Sequence, residues 1–263
     1  MRDPRLDALY YLRNFQSAMA WLVEDYPDLL SPPERTFIQQ FADLPQPSQA
    51  LLVRLLMRKH DCFRGSKIRY PEIGDIAAAA APLVHAKLLD DEPLLTLDEL
   101  FELLRRDEID ALFAGTSTRS FTKAEFLTAL QPLHLHSRSF SSWRQSKDEQ
   151  AYRVLIAALC SQLRLLFLGG FHQDWSEFVL VDLGIFRYQA VGLDSKSRGF
   201  QCRADIEAFY RLYACREQLY ADAPFGCRAL RRSRGSCCHR DGLKPAEPNC
   251  SLRSLTGMSD TVT

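Results

Sequence analysis

The chain has 263 residues, of which 46% are hydrophobic and 25% charged, with 33 Lys and Arg against 33 Asp and Glu. That suffices for one or two packed domains, and a zero net charge excludes a protein coated throughout in phosphate-binding cations while leaving room for a local basic cluster. No run of about 18 uncharged apolar residues occurs, and the start at Met1-Arg2-Asp3-Pro4-Arg5 lacks an apolar signal segment, so no membrane span or export is expected and the cytoplasm is the expected compartment.

Helical periodicity dominates. Leu9, Leu12, Phe15, Met19, Leu22 and Val23 recur at three- and four-residue steps, placing one apolar stripe on a first helix closed by Pro27. Ser31 as cap, Pro32 and Pro33 in the first turn and Glu34 three residues on mark the start of a second helix carrying Phe37, Ile38 and Phe41. Ser48 opens a third. It buries Leu51, Leu52, Leu55 and Leu56 and turns Arg54, Arg58 and Lys59 elsewhere, so its polar surface is wholly basic.

From His60 to Ile73 the helical period lapses, and Phe63, Ile68 and Tyr70 beside Arg64, Lys67 and Arg69 read as an extended segment or hairpin bent at Gly65. Arg54, Arg58, Lys59, Arg64, Lys67 and Arg69 face a single acid, Asp61, within this tract. Such a stretch offers cations to phosphates, Phe63 and Tyr70 as stacking platforms, and Gly65 and Ser66 for close backbone approach. The same residues also fit a solvated basic face over a packed aromatic pair.

Short helices follow, with capping-box spacing at Thr96 and Glu99, Thr122 and Glu125, and Ser146 and Glu149. The helix from Leu97 carries Leu100, Phe101 and Leu104, and the one from Lys123 carries Phe126, Leu127 and Leu130. The polar stretch Gly115 to Ser120 joins them into a compact module whose helix start near Lys123 could receive a phosphate. A long amphipathic helix is expected from about Lys147 to Leu168, ended by Gly169 and Gly170.

No catalytic motif stands out: there is no phosphate loop, no Gly-x-Ser-x-Gly and no His-Glu-x-x-His. His134 and His136 would share a strand face without a third metal ligand, and Cys62 near His60 makes only a weak nucleophile pair. The eight cysteines read as free thiols rather than a disulfide framework, and Cys227, Cys237, Cys238 and His239 have the wrong spacing for zinc. After Phe225 no aromatic residue occurs, while Arg, Ser, Gly and Cys crowd the stretch from Cys227 to Ser254, so the end of the chain reads as an aberrant, disordered tail.

Three blocks carry a family resemblance: Tyr10-Tyr11-Leu12-Arg13-Asn14-Phe15, LLVRLLMRKHDCFRGSKIRYPEIGDI from Leu51 to Ile76, and FLGGFHQDWSEFVLVDLGIFRY from Phe167 to Tyr188. Long and in family order, they resemble the bacterial Fanconi-associated nucleases over residues 5–219. The resemblance implies a structure-specific DNA nuclease family that cuts 5′ flaps and unravels interstrand cross-links with Mg²⁺ or Mn²⁺. Its members have an N-terminal helical region with a SAP-like DNA-binding part, then helical repeats, then a VRR-NUC domain. The nuclease domain's Glu, Pro-Asp and Glu-x-Lys pattern, which would hold the metals, does not occur in this chain.

What the resemblance implies is therefore a mainly α protein, with a helical segment and basic tract at 1–72, a SAP-like and following helical region at 73–219, and the aberrant tail at 220–263, consistent with a shifted reading frame near residue 220. The chain alone is expected to be inactive and to need no cofactor. Its expected partner is flap or branched DNA, with self-association a further possibility and a nucleoid-associated place in the cytoplasm. Arg58, Lys59, Arg64, Lys67 and Arg69 are the expected phosphate contacts, with Arg54 and Lys123 as lesser candidates. The Trp175, Phe178, Leu183, Phe186 and Arg187 block is expected to pack. A helical scaffold that binds protein rather than DNA, and a nuclease completed by a separate chain, remain as alternatives.

Overall fold

The computed structural model describes residues 8–115, 121–145, 149–170, 175 and 198–222. It divides into one unit through Tyr210 and a second from Arg211 onward. Of the second, only the turns of a helix up to Asp222 are described, with Arg216 stacked 4.8 Å over the Tyr213 ring.

The first unit begins with a helical body. Helix α1 (Tyr10–Asp25) buries Tyr11, Leu12, Phe15, Ala18, Met19 and Leu22 along one stripe. Val23, expected on that stripe, is instead 48% exposed, because a further 100° of rotation past Leu22 carries it out of the interface. Helix α2 (Pro32–Asp43) starts on the expected capping box: the Ser31 amide donates to Glu34 at 2.7 Å. Helix α3 (Gln46–Leu56) starts two residues ahead of Ser48, because Pro47 fits the first turn and Ser48 is itself buried. It packs against α1 and against α4 (Ile76–His85), whose start is capped by the Asp75 carboxylate accepting from the Ala77 and Ala78 amides.

Between α3 and α4 lies strand β1 (Cys62–Arg64), followed by a tight turn at Gly65–Lys67. Of the two readings, an extended segment or a hairpin, the extended one holds, with its bend at Gly65. The partner of β1 is a remote strand reached only after β2 (Leu89–Asp90) and a complete second module. That module consists of β3 (Leu94–Leu95), α5 (Leu97–Leu103), α6 (Arg106–Leu112), α7 (Lys123–Leu130), β4 (Arg138–Ser139) and α8 (Phe140–Arg144). β3 and β4 pair to close it, and Leu95, Leu100, Phe101, Ile109, Phe126, Phe140 and Trp143 form its own core.

The chain then returns through β5 (Ala151–Val154), the central strand of an antiparallel sheet of order β1-β5-β2, with Phe63 opposite Tyr152 and Leu89 opposite Val154. The long helix expected from Lys147 is thus a strand followed by the shorter α9 (Ala157–Leu168), which ends on Gly169 at φ 70°, a left-handed cap that glycine adopts without strain. The expected cap residue Ser146 lies outside the described residues, as do Phe178, Leu183, Phe186, Arg187 and the tail beyond Asp222. Trp175 does pack, 5.0 Å from Phe15 in the core of the body. α10 (Arg203–Asp222) is held at its start by Arg203, which donates to the fully buried Glu34 at 2.6 Å. No described helix is long and apolar enough to cross a membrane.

Candidate nucleic-acid interface

Four of the expected cations reach solvent. Arg58 and Lys59 leave the end of α3, Lys67 sits in the turn after β1, and Arg69 follows two residues on; all four are exposed. Arg58 donates from Nε to the Tyr70 hydroxyl at 2.9 Å, and its guanidinium lies 5.3 Å from the Tyr70 ring and 5.5 Å from the Phe63 ring. These stacking contacts hold the side chain out along the surface while leaving its remaining N–H donors available.

The aromatic pair does not serve as a platform on both counts. Phe63 is buried in the core of the body, and only Tyr70 is half exposed. Nor does Gly65 open the backbone to a ligand: its amide donates to the Gln150 carbonyl at 2.8 Å, and a Cβ there would stand 3.3 Å from Gln150 and from Tyr152. The glycine lets the turn close onto β5.

Three expected cations are already engaged. Arg54 donates to Glu72 Oε1 from Nε at 3.0 Å and from Nη2 at 2.5 Å, and lies 3.9 Å over the Tyr11 ring. Burial pushes the Tyr11 phenol up to about 12, so it remains a hydrogen-bond donor, directed at Glu72 at 3.4 Å. Lys123 donates from Nζ to the Leu104 carbonyl at 2.9 Å, tying α7 to the end of α5. Arg64 departs furthest from expectation. Only 5% of its side chain is exposed, and it pairs with Glu108 and Glu149, each at 2.7 Å. A guanidinium enclosed by two carboxylates has no face left for a phosphate.

Those acids were not legible as partners, since they lie 44 and 85 residues along the chain. Burial alone would raise the Glu149 carboxyl, but hydrogen bonds from Arg64 and Ser66 and the charges of Arg64 and Arg144 hold it below the usual carboxylate range. Glu108 is likewise held low, against its burial, by Arg64 and the Arg105 amide. In the second module the sequence also passed over Arg138, exposed and stacked 5.1 Å over Trp143.

The remaining candidates are structural. His134 lies 5.4 Å from both Phe113 and Trp143 and follows a 3₁₀ turn rather than sharing a strand with His136; burial and Arg138 lower its pKa. Burial pushes the Cys62 thiol up, against nucleophilic use, and Cys62, Cys160, Cys202 and Cys215 are all free thiols. Among the described residues no group of three or more His, Cys, Asp or Glu is placed to hold a metal ion, so the divalent metal of the resembled nucleases has no fitting site among them and no metal-assisted step is assigned.

A helical body with an exposed basic turn is joined through a three-stranded sheet to a module of short capped helices. Residues 9–90 match the family model described as FAN1, HTH domain, and residues 94–143 match the Fanconi anemia-associated nuclease SAP domain. The chain belongs to the Fanconi-associated nuclease family. It is 45% identical over 219 residues to the Fanconi-associated nuclease 1 homolog of Pseudomonas aeruginosa, covering 83% of this chain and 39% of that protein. It is 26% identical over 223 residues to the homolog of Schizosaccharomyces pombe, covering 74% of this chain and 32% of that protein. A crystal structure of paFAN1 bound to 2nt 5′ flap DNA with gap superposes with a TM-score of 0.78 at 44% identity, over 85% of this chain and 41% of that one. The chain thus spans about two fifths of the length of its bacterial relative.

Proposed function

We propose that this chain is a DNA-holding part of a structure-specific repair nuclease, gripping 5′-flap or similarly branched DNA through phosphate contacts from Arg58, Lys59, Lys67 and Arg69. The observation that carries it is the exposure of these four cations, all between residues 58 and 69, on a body that superposes on paFAN1 in complex with 5′ flap DNA. Cations on a turn and a helix end position a duplex without reading its sequence, as recognition of a branch requires. Arg54, Arg64 and Lys123 are already held by protein partners. The working parts are the helical segment with the basic tract and the SAP-containing region that follows it, and the chain acts with the nucleoid in the cytoplasm. Phosphodiester cleavage is no part of the role.

Fluorescence anisotropy with a labelled 5′ flap, repeated across a salt series, tests the reading. Each phosphate neutralised steepens the plot of log affinity against log salt by about 0.9, so four contacts give a slope near −3.6. A chain that binds no flap, or binds with no salt dependence, removes the DNA reading and favours a protein-binding scaffold. Mg²⁺-dependent cutting by the purified chain would contradict the non-catalytic role.

A further inference from the structure

Arg64, Glu108 and Glu149 meet where three parts of the chain join. Arg64 ends β1 of the body, Glu108 lies on α6 of the SAP module, and Glu149 precedes β5, where the chain returns from the module to the body. Arg64 donates to Glu149 from Nε at 3.0 Å and from Nη2 at 2.7 Å, while Nη1 donates to both Glu108 oxygens at 2.8 and 2.7 Å. A planar guanidinium fixes the direction of its donors, so the two carboxylates are set at a defined angle that a lysine ammonium could not impose.

Each carboxylate is in turn bound to its own element. Glu108 accepts from the Arg105 amide at 2.8 Å, the capping contact of α6, so Glu108 cannot move without carrying the first turn of that helix with it. Glu149 accepts from Arg144 at the end of α8 at 2.6 Å and from the Ser66 hydroxyl in the turn beside Lys67. The junction therefore connects α6 and α8 of the module to the same turn that displays the exposed cations.

We propose that Arg64 is a positioning residue for branched DNA: by locking the SAP module to the basic turn at one angle, it sets the preference for a flap over a straight duplex. The inference rests on the DNA-binding reading above. A loose joint would let the two surfaces follow any arrangement of duplex arms and discriminate little, whereas a fixed joint lets both surfaces engage only a matching branch.

The test uses Arg64→Lys in the full chain, which keeps the charge and removes the fork. Flap and straight-duplex affinities are measured by anisotropy, and the distance between labels at exposed positions 40 and 131 is followed by energy transfer. The expected result is a broadened distance distribution and a flap-over-duplex preference lowered about tenfold, with straight-duplex affinity within about twofold of wild type, because only engagement of both surfaces at once is lost. A purely structural role would leave that ratio in place. An unchanged ratio with broadened distances overturns the proposal, and so does an unbroadened distribution. If Arg64→Lys does not fold, Glu108→Gln is judged by the same two outcomes, since it preserves shape and leaves Arg64 its Glu149 partner. A wild-type chain that binds neither DNA sinks the DNA reading and this inference with it, whereas an unchanged ratio in a chain that does bind sinks this inference alone.

Discussion

The helical body and the SAP module hold their shapes by different means. In the body, α1, α2 and α3 run 16, 12 and 11 residues and bury continuous apolar stripes, whereas α5, α6, α7 and α8 of the module run only 7, 7, 8 and 5. Isolated helices shorter than about 12 residues are marginal in water, so the module depends on the caps at Thr96 and Thr122, on its small shared core, and on its anchors to the body. Alongside the packing of Ala151 and Cys62 against the module's core, two of those anchors are charged: Arg64 to Glu108 and Glu149, and Arg153 on β5 to Glu99 on α5 at 2.6 Å. Loss of a charged anchor should therefore show first in the module, and loss of buried apolar volume first in the body.

Breaking the main anchor tests that contrast most severely. Arg64→Met takes the shared, buried guanidinium from two partly buried carboxylates and should cost about 3–5 kcal/mol in chemical denaturation, with hydrogen exchange rising first in 94–143 rather than in α1 and α3. Leu52→Ala, at a fully buried position of α3, should cost about 2–5 kcal/mol, with the protection loss centred on the body instead.

Acid sharpens the same comparison. Because the Glu108 and Glu149 carboxyls sit lower in the folded chain than in the unfolded one, their contribution is complete above the unfolded value of about 4.3 and disappears as pH falls through the folded values. Thermal melts should therefore lose stability below that pH, and Glu149→Gln should flatten the loss. Thr96→Ala removes the hydroxyl that accepts from the Glu99 amide and should cost about 1 kcal/mol, confined to the module.

The caps show what local chemistry reveals: Ser31, Thr96 and Thr122 each announce a helix within four residues, and all three form capping boxes. What the sequence hid is non-local. Ala151 to Val154 look like part of a helix until β1 and β2 arrive on either side, one of them from 87 residues earlier in the register that pairs Arg64 with Ala151. Likewise Arg64 and Lys67 stand three residues apart in one basic tract, yet one is enclosed by acids and the other faces solvent. Charge along a chain does not reveal which cation will be neutralised by a carboxylate from another module. The family resemblance supplied the module order that periodicity could not.

The most direct measurement is a titration of labelled 5′ flap with the variant Arg58→Ala, Lys67→Ala, Arg69→Ala beside the wild-type chain, after a melt confirms that each of these exposed changes leaves stability within about 0.5 kcal/mol. If the basic turn is the DNA-holding surface, affinity drops sharply and the salt slope falls by about 2.7, or 0.9 for each lost phosphate contact. A variant that binds the flap with wild-type affinity and slope would contradict it, and would place any DNA contact elsewhere on the molecule.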